Sequence, residues 1–480
     1  MRGRSLFSLA LAVVVAACAS TQGLAPQSSL RDAGSLRASA SLAPAKLSDA
    51  AWPAVDWWKS YGDSQLDALI DQALSDSPTL RIAEARTRKA VALAQETGAA
   101  LYPQVNASAS TSREHYPEHG ATPPPFAGHT DTLNQLQITL DWELDFWGKN
   151  RSAYEAALGE ARAAEVDAYA ARLALSTSIA QAYVRMERAY LQLDVSQHEL
   201  KERERIYALT RDRNAAGIDS RMELKQAEAA LPAARERIVQ LDESIALARN
   251  QIAALMGQGP DRGLAITRPS ASLAQAPSLP SNLPAQLLGR RPDLVAQRWR
   301  VEAAGQEIAS AKAQFYPDIN LIALVGLQTF GGGNLLSAAS RMAGAGPALT
   351  LPIFDAGRLR GNLASRDADY DIAVEQYNQE LADALREVVD QVASLRSVDE
   401  QRTQQRQAIG AAQEAYDLAL TRYREGIGNY LQVLSAEQPL LEQQSLDADL
   451  NARELALSIN LVRALGGGYR PTPVSLAGAR

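Results

Sequence analysis

The chain is poor in the residue types that mark many enzymes, disulfide-rich proteins and helical membrane proteins. Its 480 residues include one cysteine, four histidines and 6% aromatic residues. A single cysteine excludes an internal disulfide. The formal net charge is −7 and no basic stripe is present, so we expect no nucleic-acid partner. No internal stretch reaches the roughly 20 apolar residues that a transmembrane helix requires.

The few histidines do not form a catalytic or metal-binding pattern. His115, His119 and His129 lie in or beside one predicted loop, where exposed loop histidines are a simpler interpretation than a metal site. His198 is followed by Glu199, but the second histidine of the zinc-protease motif is missing. No phosphate-binding loop or Ser/His/Asp set stands out. We therefore expect no catalytic residue and no metal.

The lone cysteine ends an N-terminal targeting segment. A basic start is followed by an apolar run that ends at Ala17 and is too short to span a membrane. Small residues before Cys18 resemble a bacterial lipobox, in which the thiol is acylated and the preceding peptide is removed. The alternative is an ordinary signal peptide with an incidental cysteine. We expect a signal peptide over residues 1–17, a covalent lipid (palmitate) on Cys18 as the only attached group, and a mobile linker over residues 19–50.

What the chain does have is a turn sequence that occurs twice. Residues 207–220 and 416–429 align without a gap at a constant offset of 209 residues. The same offset continues downstream, where it pairs Leu224 with Val433 and Gly257 with Gly466. A constant offset over this length indicates internal duplication.

Each copy predicts the tip of a long helical hairpin, and we call residues 207–220 the first tip and residues 416–429 the second tip. Gly217 or Gly426 ends the arriving helix, since glycine adopts the left-handed conformation at little cost. Ser220 or Asn429 then caps the departing helix by accepting hydrogen bonds from its free N–H groups. The departing helix of the first copy keeps the 3-4 apolar spacing of a coiled coil from Leu224 to Leu255.

The remaining patterns predict long helices and membrane-type strands. A helix from about Lys149 to Ala216 would be roughly 100 Å long. Four segments have the length of tilted membrane strands and alternate apolar with polar residues, clearly in the first pair and weakly in the second; they are residues 104–112, 136–145, 318–327 and 345–354. A soluble hairpin with one buried face is the alternative for the first pair.

These elements divide the chain into two repeats. The predicted segments are a lipidated N-terminal linker (18–60), a first repeat (61–257), a Pro/Ser-rich linker (258–284), a second repeat (285–468) and a C-terminal tail (469–480). Four strands cannot close a membrane barrel, because unpaired backbone groups in hydrocarbon cost several kcal/mol each. Two chains would supply eight strands and three would supply twelve, and the strand pattern alone does not choose between them.

Several motifs, in this order and spacing, resemble the TolC-like outer-membrane efflux proteins, in their lipoprotein branch. The motifs are Trp57-Trp58 through Ile70, Leu101-Tyr102-Pro103, Arg290-Arg291-Pro292-Asp293-Leu294, Phe315-Tyr316-Pro317, Leu351-Pro352-Ile353-Phe354-Asp355-Ala356-Gly357-Arg358 and Tyr423-Arg424-Glu425-Gly426. The resemblance implies a homotrimer with a 12-stranded outer-membrane β-barrel, four strands from each chain, that continues into a long periplasmic α-helical barrel. It also implies a passive exit duct for drugs or other small molecules. These would be delivered by an inner-membrane transporter through a periplasmic adaptor, or membrane fusion protein.

The resemblance also assigns roles to residues of the tips. The implied adaptor contacts are Gly217, Ile218, Ser220, Gly426, Ile427 and Asn429. The implied aperture of the closed channel is lined by Tyr430, Leu431, Ser435 and Gln438. Relatives often carry an acid and a base at the positions of Ser435 and Gln438, whereas Leu431 or Tyr430 would give an apolar constriction that gates by dewetting.

One alternative comes from another functional class. A periplasmic coiled-coil adaptor or scaffold lipoprotein would explain the helices and the lipid. It would not explain two pairs of membrane-type strands. The discriminating observation is whether the strands are embedded in the outer membrane.

Overall fold

The computed structural model describes residues 20–42, 47–48, 52–270, 279–280 and 289–470. The predicted signal peptide, Cys18 and residues 471–480 of the predicted tail lie outside these ranges. The helices are α1 (Ser39–Leu42), α2 (Ser64–Asp76), α3 (Pro78–Gly98), α4 (Lys149–Ala215), α5 (Arg221–Leu255), α6 (Asp261–Leu264), α7 (Pro292–Ala313), α8 (Arg358–Arg424) and α9 (Tyr430–Ala464). The strands are β1 (Leu47–Ser48), β2 (Gln104–His115), β3 (Thr130–Glu143), β4 (Leu279–Pro280), β5 (Asp318–Phe330) and β6 (Arg341–Thr350). Short 3-10 helices occupy Ala33–Ser35, Trp57–Tyr61, Ala99–Leu101 and Ala338–Ser340.

The long helices confirm the duplication. Helices α4 and α8 each contain 67 residues, and α5 and α9 each contain 35. The helices continue through Pro232 and Pro439, which lie inside α5 and α9 respectively. At 1.5 Å per residue, α4 and α8 are each about 100 Å long, far beyond the usual globular helix.

Capping residues start the shorter helices α2 and α3. The Asp63 carboxylate accepts hydrogen bonds from the backbone N–H groups of Gln65 (2.9 Å) and Leu66 (3.1 Å) at the start of α2. Ser77 caps α3, and Pro78 occupies its first turn, where no backbone donor is required. The chain leaves the helical conformation at Ser77, between α2 and α3, and α3 then packs along α4.

One antiparallel sheet has the order β2-β3-β5-β6 and brings the strands of both repeats together. Its register aligns apolar side chains on one face, where Ile138 lies opposite Ala107 on β2 and Val325 on β5. The opposite face of β2 and β3 is polar, as in the pair Ser108 and Gln137. Strands β2 and β6 are the two edges of this sheet.

The prediction for the fourth strand needs a correction. Alternation predicts it over residues 345–354, but β6 ends at Thr350. Pro352 explains the difference, because a proline has no N–H to donate to the strand ladder. Pro347 is tolerated within β6, which is an edge strand in this chain.

The long helices pack side by side. Helix α4 contacts α3, α5, α7 and α9, and α8 contacts α7 and α9. The largest apolar cluster lies in the middle of this assembly and includes Trp58, Tyr183, Met186, Ile252 and Ile459. Trp57 and Trp58 are buried there and so pack the N-terminal region onto the helices.

The expectation of a mobile linker over residues 19–50 is wrong for residues 20–42, which lie along α8. The backbone N–H groups of Gln27 and Ser28 donate to the Asp371 carboxylate at 2.9 and 2.8 Å. The N–H of Arg31 donates to Asn378 at 2.8 Å. Polar side chains of α8 thus accept hydrogen bonds from the backbone N–H groups of an extended segment whose composition alone suggests disorder. Further along, β1 pairs with β4 of the inter-repeat linker.

Within the ranges that the structure describes, none of the helices combines the length and the apolar character needed to cross a membrane.

Candidate functional site at the helical tips

The first tip connects α4 to α5 through a glycine turn. Gly217 has a φ of +77°, and the N–H of Ile218 donates to the carbonyl of Arg213 at 2.9 Å. Ser220 then caps α5 in a reciprocal capping box, in which the Glu223 side chain accepts from the N–H of Ser220 at 2.6 Å. The predicted stop and cap are both confirmed here.

The second tip repeats this turn between α8 and α9. Gly426 has a φ of +79°, and the N–H of Ile427 donates to the carbonyl of Arg422 at 3.0 Å. The Asn429 side chain accepts from the N–H of Gln432 at 3.0 Å and caps α9. The two turns therefore share their geometry as well as their sequence.

Apolar side chains at both tips point away from the rest of the chain. Ile218 is 63% exposed and Ile427 is 68% exposed. Met222 and Leu431, in the first turns of α5 and α9, are 67% and 57% exposed. An exposed apolar patch at the far end of two long hairpins is typical of a surface that contacts another protein.

A buried polar network joins the two tips to each other. The Asp219 carboxylate of the first tip accepts hydrogen bonds from Arg213 Nε (3.0 Å) and Nη2 (3.1 Å). It also accepts one from the hydroxyl of Tyr423, which belongs to the second tip, at 2.6 Å. Arg213 Nη1 donates to the carbonyl of Tyr423 at 3.0 Å, and its guanidinium lies 4.6 Å from the centre of that ring. Thr210 completes the network at 2.7 Å from the Tyr423 hydroxyl.

The surroundings of this network keep Tyr423 protonated and Arg213 charged, which are the forms in which both donate hydrogen bonds. Burial, followed by the hydrogen bond to Asp219, raises the pKa of Tyr423 to about 12, so the hydroxyl remains a donor at neutral pH. The hydrogen bond to Asp219 also raises the pKa of Arg213. Hydrogen bonds to charged groups are among the stronger ones in proteins. The network therefore fixes the first tip against the second.

A second ion cluster lies farther from the tips, between α4 and α9. Glu437 is 5% exposed, and its carboxylate lies 3.5 Å from Arg203, which also pairs with Glu199 at 2.7 Å. Burial raises the pKa of Glu437, while Arg203 opposes that rise. The cluster connects the two hairpins close to the positions predicted to line an aperture.

Three of the four predicted aperture residues share an exposed face of α9, namely Leu431, Ser435 and Gln438. Tyr430 does not share this face. It is 4% exposed, with its ring centre 6.4 Å from that of Tyr423. The expectation that Tyr430 lines an aperture is corrected accordingly, because its ring is part of the tip core.

Sequence reasoning missed Asp219, Tyr423 and Thr210 as a connected set. A signal was present in the differences between the two copies. Asp219 aligns with Gly428, and Tyr423 aligns with Asn214, so the copies differ at the residues that bond to one another. Among the described residues, the structure shows no group of histidine, cysteine and acidic side chains able to hold a metal.

Comparison with known proteins gives the family. The sequence matches the family described as outer membrane efflux protein over residues 69–258 and 283–467. The chain belongs to the outer membrane efflux protein family. The family confirms the expected class of protein, and its structural relatives are channels rather than enzymes.

Individual relatives of this outer membrane efflux protein support the family assignment. The fusaric acid resistance protein FusA of Burkholderia cepacia is 44% identical over 370 residues, which cover 76% of this chain and 69% of FusA. The multidrug resistance outer membrane protein MdtP of Escherichia coli K12 is 33% identical over 438 residues, which cover 89% of each chain. The solved structure of the outer membrane protein VceC from Vibrio cholerae is similar with a TM-score of 0.81 and 39% identity, covering 87% of this chain and 100% of VceC.

The outer membrane efflux protein therefore has the fold of the TolC-like channels. It serves as an exit duct in the outer membrane, and its long helices extend into the periplasm. The sheet and the tips lie at opposite ends of α4 and α8.

Proposed function

We propose that three copies of this chain form the outer-membrane channel of a tripartite efflux pump, and that the tips receive a periplasmic adaptor linked to an inner-membrane transporter. The observation that carries the proposal is the four-stranded sheet with two open edges, β2 and β6. Bacterial outer-membrane barrels contain eight or more strands, and an open edge in hydrocarbon leaves backbone groups unpaired. Two sheets joined edge to edge would supply eight strands and three would supply twelve, and the resemblance to the TolC-like proteins favours three.

The apolar face of the sheet supports membrane insertion over the scaffold alternative. Val105, Leu140 and Ala323 are aligned across β2, β3 and β5 on this face, and they are at least partly exposed in the single chain. Aromatic side chains cluster where the sheet meets the helices, as at membrane interfaces. There Trp147 stacks on Tyr316 with ring centres 4.7 Å apart. A scaffold made only of coiled coils would not require an exposed apolar face on a β-sheet.

The position of the N-terminal segment supports a lipid on Cys18. Arg360, in the first turn of α8, bonds to the carbonyl of Ser20 and donates to the carbonyl of Gln22 at 3.2 Å. Ser20 and Gln22 therefore lie at the start of α8. This end follows β6 and adjoins the sheet. The first described residues of the chain thus lie beside the sheet, as expected if a lipid on Cys18 anchors the chain to the membrane that holds the barrel.

The tips supply the proposed adaptor surface. Gly217 and Gly426 leave the backbone open to close approach, while Ser220 and Asn429 present small polar caps beside the exposed Ile218 and Ile427. The exposed face formed by Leu431, Ser435 and Gln438 would surround the axis of the trimer and restrict the closed duct. The cargo class, drugs or other small molecules, follows the multidrug and fusaric acid resistance named for the relatives. The two repeats, 61–257 and 285–468, would then give each hairpin an equivalent place around the channel.

The assembly is tested by the native mass of the detergent-extracted protein, corrected for bound detergent. We expect three chains per particle. Replacing Cys18 with serine should remove the lipid and leave the trimer in the membrane. A stable monomer that leaves the membrane without detergent would instead favour the scaffold lipoprotein.

The adaptor surface is tested by introducing charges at the exposed isoleucines. Ile218→Asp combined with Ile427→Asp should abolish drug export and co-purification with the adaptor, while trimer yield in the outer membrane stays unchanged. Leu264→Asp is the matched control, because Leu264 is 76% exposed but lies on α6, far from the tips. Wild-type drug resistance in the double variant would contradict the proposed adaptor contact.

A further inference from the structure

A small cavity lies away from both the tips and the sheet, where three parts of the chain meet. Its volume is about 250 Å³, somewhat below the usual range for pockets that hold drug-sized ligands. The walls come from the segment before α2, the first half of α4 and the chain just after α9. They include Trp57, Trp58, Tyr169 and Tyr469, together with Arg172 and Arg470.

Three polar side chains of this cavity have no partner among the described residues, whereas the Ser176 hydroxyl donates to the carbonyl of Leu173. Arg172 is half-buried and Arg470 is exposed at the mouth of the cavity. Neither makes a hydrogen bond or ion pair with any residue that the structure describes, and no acidic side chain of the described ranges lines the cavity. Trp58 is 2% exposed, yet its indole Nε1 has no hydrogen-bond acceptor among the described residues. Buried donors are normally satisfied. The cavity thus combines two guanidinium groups with an unpaired buried N–H.

The wall after α9 is shaped by three consecutive glycines with positive φ, at +87°, +57° and +81° for Gly466, Gly467 and Gly468. A Cβ on Gly467 would lie 2.1 Å from Leu173, and one on Gly468 would lie 2.3 Å from the backbone of Ala54. The backbone of this turn therefore packs directly against Leu173 of α4 and against Ala54 of the segment before α2. This tight turn brings Tyr469 and Arg470 to the cavity, so the open space is not a product of loose packing.

The aromatic groups give the cavity flat apolar surfaces. Tyr169 and Tyr469 have ring centres 5.3 Å apart, and Trp57 packs edge-on against Trp58 at 5.8 Å. Burial, with Tyr169 and Glu165 nearby, raises the pKa of Tyr469, which keeps its hydroxyl as a protonated donor. The indole of Trp58, the hydroxyl of Tyr469 and the two guanidinium groups can therefore all donate hydrogen bonds to a ligand.

We propose that this cavity is a binding site for a small aromatic carboxylate. Its carboxylate would pair with Arg172 and Arg470, since the planar guanidinium fork matches a carboxylate. Its ring would lie among the tryptophan and tyrosine side chains. Ligand binding would tie the N-terminal region to α4 and to the end of α9, independently of adaptor docking at the tips.

The test uses the full-length protein in phospholipid nanodiscs and 4-(trifluoromethyl)benzoate as the probe, observed by ¹⁹F NMR. The uncharged 4-(trifluoromethyl)benzamide is the matched control ligand. We expect saturable binding of the acid and none of the amide. Each arginine removed should weaken binding about tenfold or more, the usual effect of losing a charged hydrogen bond. Equal binding of acid and amide would overturn the proposal.

Three variants locate the binding. Arg172→Gln with Arg470→Gln should abolish the signal, whereas Arg81→Gln, an exposed arginine of α3, should leave it unchanged. Should the double variant fail to assemble, Val55→Asp provides the same test. Val55 lines the cavity and is 53% exposed, so an aspartate there supplies a competing carboxylate. Unchanged affinity in the assembled variants would overturn the assignment, and so would displacement of the probe by inorganic sulfate at equal concentration.

Discussion

The hydroxyl of Tyr423 should hold the two tips together, and removing it gives a measurable loss. This hydroxyl donates to the charged Asp219 at 2.6 Å and lies 2.7 Å from the Thr210 hydroxyl. Hydrogen bonds to charged groups contribute about 1.5–3 kcal/mol. Tyr423→Phe should therefore destabilise the contact between the tips by about 2 kcal/mol. At 1.4 kcal/mol for each factor of ten, the tips should open about 30-fold more often.

Hydrogen–deuterium exchange of the intact protein measures this opening. Amides of residues 205–225 and 415–430 should exchange faster in Tyr423→Phe, while those in the middle of α4 and α8 stay protected. Tyr416→Phe is a matched control from the same apolar cluster, because the buried Tyr416 hydroxyl has no partner among the described residues. Its removal should leave exchange unchanged or slower. Equal acceleration in both variants, or none in Tyr423→Phe, would refute the role of the network.

Further variants test packing and charge through the thermal midpoint. Arg291→Met should destabilise by about 3 kcal/mol, because its 8% exposed side chain pairs with two carboxylates. Arg298→Met, at a 60% exposed ion pair, should change stability by less than about 1 kcal/mol. Gly466→Ala should fail to fold, because the new Cβ would lie 2.0 Å from the backbone oxygen of Arg290. In Gly217→Ala the new Cβ would meet no atom within 4 Å, so this variant should lose only the backbone strain energy of about 1–2 kcal/mol. Glu437→Gln should raise the midpoint at pH 7.5 and match wild type at pH 4. Burial raises the pKa of Glu437, so folding favours its protonated form. The stability gained from that protonation is present below the ordinary glutamate pKa and is lost as pH rises through the raised value.

Much of the fold could be predicted from the sequence, because its signals are local and repeated. Glycine stops and polar caps mark the ends of the long helices within one or two residues, as at Gly217 and Ser220. Alternation identifies β2 and β3. It is weaker in the second repeat, where glycines and apolar residues occupy both faces, and there the predicted last strand runs four residues too far. Pro352 marks the end of β6 in the sequence, but alternation alone does not take the missing N–H of a proline into account.

The features that could not be predicted from the sequence depend on contacts between segments that are far apart along the chain. The hydrogen bond between Asp219 and Tyr423 joins residues 204 positions apart. The docking of Gln27 and Ser28 on Asp371 crosses more than 340 positions. Neither pairing has a local pattern, so composition suggests a mobile linker where polar groups of α8 order the chain. The prediction for Tyr430 is wrong for a related reason, since its burial depends on a ring from the preceding helix.

The duplication explains where such pairings arise. Two copies of one hairpin begin with the same turn, and the hydrogen bond between the tips involves positions at which the copies now differ. In this chain the aspartate and the tyrosine of the network occur once each, opposite Gly428 and Asn214 in the alignment of the copies. Arg213, by contrast, has an equivalent in Arg422. The shared Gly-Ile pairs build each turn, whereas the diverged Asp219 and Tyr423, together with the shared Arg213, join the two turns into one surface. The comparison of repeats within a single chain therefore identifies Asp219 and Tyr423 as diverged positions that connect one tip to its counterpart.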